Sequence, residues 1–215
     1  VAFLGAWAFN FSPLFYYYTM NPLPDLFALC CTVWYMSFLF SYFNREKIIL
    51  LLLAAFFLGL ATLAKLPFVI FGSVAAVYVF QQLLSNGMAS IKKSTALIFV
   101  FTAFLLPAFF WYKWVIPSWG DNGVLKGVFS NSVSIERTIE IFKFHSFELL
   151  PKVLLNYAVV PFFLTGCFFM FKNKVYTKAK WSLLASAGLA VILYFLLEYN
   201  MIDIIHDYYM LPFLI

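Results

Sequence analysis

The chain has 215 residues, of which 65% are hydrophobic, 22% are aromatic and 11% are charged, with a net charge of +5. A soluble domain is usually about half apolar and about a quarter charged, and a chain of this size could not bury so much apolar surface in one core. The composition therefore excludes a soluble protein, a disordered chain and a nucleic-acid-binding domain. It indicates an all-α, polytopic membrane protein.

Apolar segments of spanning length follow one another along the chain, since about 20 mostly apolar residues cross a bilayer as a helix. We expect a single transmembrane domain over residues 1–215 with seven to eight spans, forming an internal piece of a longer protein. The chain opens at Val1 with no basic region or cleavage site, so we do not expect its first segment to be a signal peptide. The predicted spans are residues 1–20, 26–43, 48–64, 66–84, 94–112, 153–171 and 181–198, and an eighth begins near residue 208.

The linkers between these spans differ in charge. Linkers 44–47, 85–93 and 172–180 are separated by pairs of spans, so they fall on one side of the bilayer. Together they carry eight basic residues and one acidic residue, a net charge of +7, whereas the opposite side sums to −2. The positive-inside rule makes the basic side cytoplasmic. We therefore expect an integral protein of the cell membrane (plasma or inner), with its chemistry facing outside the cytoplasm.

The longest linker, residues 113–152, falls on the outer side. Ser134 is placed to cap a helix, and from Ile135 onward apolar residues recur at i, i+4 and i+7 among charged ones. This pattern predicts an amphipathic helix in the plane of the membrane interface, which either flanks a site or merely tethers the loop. His145, in the same segment, is expected to be an ordinary surface or interface histidine.

Two charged residues lie at the predicted outer ends of spans. Asp25 follows Pro24 at the start of a span, where it would serve either as a helix N-cap or as a site carboxylate. Lys65 lies beside Pro67 in a tight turn between two apolar runs. It would either snorkel to the interface or present a cation to an outward cavity, where it would bind a phosphate as a compact point charge.

A third polar group, the run from His206 to Tyr209, precedes the last apolar segment. The tyrosines fit an interfacial aromatic belt, and His206 fits a proton-transfer or phosphate-binding group. Glu198 and Asp203 flank an outer turn, and solvation would be sufficient to explain them.

Other common kinds of site find no support. The cysteines Cys30, Cys31 and Cys167 lie within apolar stretches, which fits small buried hydrophobic residues better than disulfides or a metal site. The chain contains no GxxxxGK[ST], HExxH, CxxC or GxSxG motif. An ATP-driven pump, a zinc protease and a serine hydrolase are therefore unsupported.

Four strings, taken together and in order, resemble the C-type membrane glycosyltransferases, a family that includes protein mannosyltransferases and lipid A aminoarabinose transferases. The resemblance extends over essentially the whole chain, and no single string is diagnostic. The strings are SPLFYYYTMNPLPDLFALCCTVWY, FFLGLATLAKLPFVIF, FLLPAFFWYKWVIP and HDYYMLPFL.

This resemblance implies an enzyme that moves a sugar from a polyprenyl-phosphate carrier to a lipid, glycan or protein acceptor outside the cytoplasm. It implies a catalytic role for Asp25 and binding of the lipid phosphate by Lys65, His206 and Tyr209. The principal catalytic acid of the family lies in a first outer loop that precedes the region seen here. No cofactor is specified, and a divalent metal is left open.

Two other functions compete with the transferase. A transporter or flippase of polyprenyl-linked glycans would place several polar residues in the middle of its spans, whereas most charges here lie at span ends. A non-catalytic membrane scaffold would bind lipid or partner subunits and would lack acidic residues in the first outer loop.

Overall fold

The computed structural model describes residues 12–20, 23–119, 134–154, 157, 160–172 and 178–202. Within these residues the chain is almost entirely helical and forms no strand, which confirms the all-α fold class. The α-helices are α1 (Pro13–Thr19), α2 (Pro24–Arg45), α3 (Ile48–Ala64), α4 (Ser73–Asn86), α5 (Ile91–Phe110), α6 (Ile135–Phe144), α7 (Val160–Lys172) and α8 (Lys178–Ile202).

Shorter helical segments of other types join them. The 3-10 helix Leu66–Gly72 leads directly into α4, and α5 continues through a π-helix at Trp111–Val115 and a 3-10 turn at Ile116–Trp119. A second π-helix, His145–Leu154, extends α6. Within the described residues, the predicted spans that can be compared coincide with helical stretches, and several of these stretches change helix type near their ends.

Three helical stretches are long and apolar enough to cross a membrane, judged by length and composition: Pro24–Arg45, Leu66–Asn86 and Ile91–Trp119. Shorter apolar helices cover Ile48–Ala64, Val160–Phe169 and Trp181–Leu196. In the three long stretches, between 17% and 44% of the most apolar window is buried inside the protein. Most of their apolar surface therefore faces outward, as expected of helices that lipid surrounds.

The predicted span boundaries need two corrections. The span expected over 66–84 begins as the 3-10 helix Leu66–Gly72, because Pro67 disfavours the α conformation at the residue before it. The span expected over 153–171 begins inside the π-helix that ends at Leu154, and its α-helix starts at Val160. Most of the first predicted span and all of the eighth lie outside the described residues.

Helix α3 occupies the centre of the bundle. It packs along α2 on one side and along α5 on the other, and it also contacts the 3-10 helix Leu66–Gly72. The turn from α2 into α3 is closed by Glu46, whose backbone is left-handed (φ 51°) and whose N–H donates to the Tyr42 carbonyl at 2.8 Å. Helix α8 packs against α4 and against the same 3-10 helix.

The amphipathic helix predicted after Ser134 is present. The Ser134 hydroxyl accepts a hydrogen bond from the Arg137 N–H at 3.2 Å and thereby caps α6. Ile141, on one face of α6, is 3% exposed and joins the main hydrophobic core, whereas Ile135 is 79% exposed. One face of α6 therefore packs on the bundle while another faces outward.

Candidate functional site

Asp25 is held at the start of α2. Pro24, with its fixed φ, occupies the first helical turn, and Leu23 is the N-cap in an extended conformation with no side-chain capping bond. The expected N-cap role for Asp25 is therefore wrong, because the carboxylate lies inside the first turn rather than at the cap. It still complements the positive end of the helix dipole, and the residue is only 3% exposed.

Lys65 lies where α3 ends. Its backbone is extended (φ −152°, ψ 113°), and its N–H donates to the Ala61 carbonyl at 3.0 Å. Its side chain turns inward, where the Nζ atom donates to Oδ1 of Asp25 in an ion pair. The side chains of Lys65 and Asp25 are 13% and 5% exposed. Lys65 therefore does not extend towards the interface as the snorkelling interpretation supposed. It pairs with a buried carboxylate 40 residues away in sequence.

Tyr112 secures the backbone on both sides of Lys65. Its hydroxyl accepts a hydrogen bond from the Leu66 N–H at 3.1 Å and donates one to the Leu63 carbonyl at 3.3 Å. Tyr112 belongs to the π-helix that continues α5, so its two bonds tie the end of α5 to the turn after α3. Tyr112 was not predicted as a site residue, because in the sequence it resembles any other aromatic residue at a span end.

Aromatic side chains pack behind this turn. Phe68, in the 3-10 helix after Lys65, is fully buried and meets the ring of Tyr194 from α8 edge-on at 5.3 Å. The neighbouring Phe195 contacts the His145 ring at 5.8 Å. Helix α8 therefore links the Lys65 turn to the helical segment that contains His145.

His145 is buried, contrary to the expectation of a surface or interface position. It is 1% exposed, and its Nδ1 lies 2.7 Å from the Ile141 carbonyl one helical turn earlier. The i, i+4 spacing of Ile141 and His145 places both on one helix face, which was the available sequence signal. The helix that follows Ser134 is thus packed onto the bundle through this face.

An apolar groove of about 360 Å³ runs between the 3-10 helix with α4 on one side and α5 on the other. Its walls are almost entirely hydrocarbon. Two of the lining residues lie close in sequence to the residues described above: Val69 follows Lys65 by four positions, and Leu105 precedes Tyr112 by seven. The lining residues are Leu58, Val69, Gly72, Ala75, Ala76, Val79, Leu97, Ile98, Phe101, Thr102 and Leu105.

A second ion pair marks the opposite end of the same helices. Lys93 Nζ lies 2.5 Å from Glu46 Oε1 and 5.9 Å from the ring centre of Tyr42. The side chain of Glu46 is 62% exposed, so this pair is solvated and contributes little stability. It brings together the turn after α2 and the start of α5, two of the linkers that the charge pattern assigned to one side.

The structure does not describe the remaining predicted site residues. His206 and Tyr209 lie outside the described residues, as does Asp203. Among the residues that the structure does describe, no group of three or more His, Cys, Asp or Glu side chains could hold a metal ion. The structure therefore brings together Asp25 and Lys65, and adds Tyr112 to them.

Comparisons of this chain with protein-family models, with curated proteins and with solved structures gave no match.

Proposed function

We propose that this chain is part of a membrane glycosyltransferase that moves a sugar from a polyprenyl-phosphate carrier to an acceptor outside the cytoplasm. The observation that supports it most is the buried ion pair between Asp25 and Lys65 at one end of the helix bundle. Burying two charges is costly, and replacing such a pair by apolar residues is often neutral or stabilising. Charges retained inside a membrane protein are functional candidates by default.

The two residues have the chemistry that sugar transfer from a phosphate requires. The acceptor attacks the anomeric carbon, and the bond from that carbon to the phosphate oxygen breaks. Asp25 takes the acceptor proton, while the Lys65 ammonium stabilises the charge that develops on the leaving phosphate. His206 and Tyr209 are further proposed contacts of the lipid phosphate.

The apolar groove suits the lipid part of such a donor. It lies between membrane-spanning helices, and its hydrocarbon walls would accommodate part of an isoprenoid chain. Val69 is four residues after Lys65, so a chain in the groove would lead towards the ion pair. The donor would then have its phosphate near Lys65 and its chain against α4 and α5.

The arrangement of polar side chains favours this enzyme over a transporter or flippase. The hydroxyls of Thr32, within α2, and Thr62, near the end of α3, are buried and donate to the carbonyls of their own helices, at Ala28 and Leu58, both at 2.8 Å. Among the described residues, neither hydroxyl is therefore available to line a polar path.

The test is Lys65→Met in the full-length protein, reconstituted with radiolabelled polyprenyl-phosphate sugars. We expect loss of sugar from the carrier to slow by about a hundredfold or more, because a preorganised charge on the leaving group is lost. Unchanged turnover would contradict the assigned role. Lys93→Met is the matched control, because it removes a lysine from the ion pair at the opposite end.

A loss of activity in Lys65→Met could also come from misfolding, because this variant leaves the Asp25 carboxylate buried without this cation. A second variant separates the two causes. The double variant Asp25→Asn/Lys65→Met removes both charges and is expected to be folded and inactive. If the wild-type protein carries intact donor across the bilayer and releases no sugar, the flippase replaces the transferase.

A further inference from the structure

The carboxylate of Asp25 occupies the position on Lys65 where an anionic ligand would bind. Its Oδ1 accepts from Lys65 Nζ, and the two side chains are 5% and 13% exposed. A phosphate oxygen that approached Nζ would come close to this carboxylate, and the two anions would repel each other strongly in a poorly solvated site. Phosphate and carboxylate therefore compete for Lys65.

We infer that Asp25 is an internal occupant of the Lys65 anion site, and that a lipid-linked phosphate exchanges with it. This inference rests on the proposed function, which supplies the phosphate. When the phosphate takes Lys65, the Asp25 carboxylate is released and becomes a free base for the acceptor. Asp25 is thus activated by donor binding, and the donor binds before the acceptor.

The transfer step favours the phosphate as the partner of Lys65, and product release returns Lys65 to Asp25. Asp25 becomes neutral when it takes the acceptor proton, so it no longer competes for Lys65. The phosphate changes from a diester with one negative charge to a monoester with a charge of about −1.5 to −2, which binds Lys65 more strongly. Once Asp25 loses its proton, the ion pair can form again and displace the carrier.

The structure confines this exchange to side chains. Tyr112 holds the backbone at Leu63 and Leu66, immediately around Lys65, through two hydrogen bonds. Asp25 is held in the first turn of α2 next to Pro24. Neither backbone segment needs to move for Nζ to change partners.

The experiment compares binding of polyprenyl phosphate to the wild-type protein and to Asp25→Asn in lipid nanodiscs. We expect Asp25→Asn to bind about tenfold more tightly, because the competing carboxylate is gone. Equal or weaker binding by a folded Asp25→Asn would overturn the exchange. Glu46→Gln, the same chemical change in the exposed ion pair, is expected to leave affinity unchanged.

The ligand controls identify what is recognised. Polyprenol, which has the same chain without phosphate, is expected to bind both proteins equally. An Asp25→Asn gain for polyprenol as large as that for polyprenyl phosphate would overturn the inference. Inorganic phosphate is expected to bind neither protein at the same concentration, and equally tight binding would assign the site to free phosphate instead of a lipid.

A second measurement applies if Asp25→Asn does not accumulate. Labelling of the wild-type Asp25 carboxyl by a hydrophobic carbodiimide, located by mass spectrometry, should increase as polyprenyl phosphate is added. Unchanged or decreased labelling would overturn the exchange. Both measurements detect binding and not sugar transfer. If phosphate exchanges with Asp25 but no sugar is released, only the proposed transferase is contradicted. If sugar is released but phosphate does not exchange with Asp25, only this inference is contradicted.

Discussion

The hydroxyl of Tyr112 bonds to a backbone N–H and to a backbone carbonyl on the two sides of Lys65. These groups belong to the end of α3 and the start of the 3-10 helix, where the regular helical bonds are interrupted. A single side chain from the π-helix that continues α5 therefore satisfies two backbone groups that lie inside an apolar bundle. These two hydrogen bonds hold the backbone on both sides of Lys65 and so fix the position from which its side chain extends.

We expect Tyr112→Phe to lower the free energy of unfolding by about 1–3 kcal/mol, because it leaves a backbone donor and acceptor of the turn without this partner. Thermal unfolding in detergent measures the change. The ring remains, so apolar packing is preserved. Tyr157→Phe, at a side chain that is 62% exposed, is the control and should be neutral. Equal stability of the two variants would show that the Tyr112 bonds contribute nothing.

Single residues also show how far the sequence could lead. Asp25 and Lys65 were identified as candidates because charge at a span end is costly and unusual. Their pairing was not predicted, since the residues lie 40 positions apart and helix packing decides whether they meet. His145 was misjudged because a histidine in an amphipathic segment can lie on either face, and only the contact with α8 shows which face is buried.

At the scale of whole elements, α3 and α5 approach each other closely at Gly59. A Cβ atom there would lie 2.5 Å from the backbone oxygen of Phe104, which cannot rotate away as a side chain could. The absence of a side chain at Gly59 thus permits the short distance between the two helices that lead into Lys65 and Tyr112.

We expect Gly59→Ala to destabilise the protein by about 1–3 kcal/mol, since the helices must separate to admit the methyl group. The thermal midpoint in detergent checks it. Gly188→Ala in α8 is the control, because no described atom lies within 4 Å of its added Cβ. The control should be neutral or stabilising by up to about 1 kcal/mol through helix propensity. A Gly59→Ala variant as stable as the control would refute the close packing.

At the scale of the whole molecule, the described bundle has two distinct ends. Asp25, Lys65 and Tyr112 meet at one end, and Glu46 and Lys93 meet at the other. The second end also brings the start of α8 to the end of α4 through a hydrogen bond between Gln81 and Ser182. This grouping is what the alternation of linkers predicts, but it does not say which end faces the cytoplasm.

We expect Glu46→Cys to react with an impermeant maleimide from the cytoplasmic side and Lys113→Cys to react from the outside, as the positive-inside rule predicts. Both positions have exposed side chains. The labelling is measured in sealed cells and inverted vesicles, in a background lacking Cys30, Cys31 and Cys167. Labelling of both from one side would contradict the predicted topology, and the reverse pattern would place the Asp25–Lys65 end in the cytoplasm.

The sequence by itself determined the helical class, the approximate positions of the described apolar helices and the two candidate charges, because these depend on composition, on apolar run length and on the cost of a charge near hydrocarbon. The cap of α6 was also local, since Ser134 and Arg137 lie within one turn. Only the tertiary structure decided that Asp25 meets Lys65, that Tyr112 fastens the turn and that His145 is buried. Each of these depends on contacts between helices far apart in sequence, and apolar helices carry few directional groups that would reveal their partners in advance.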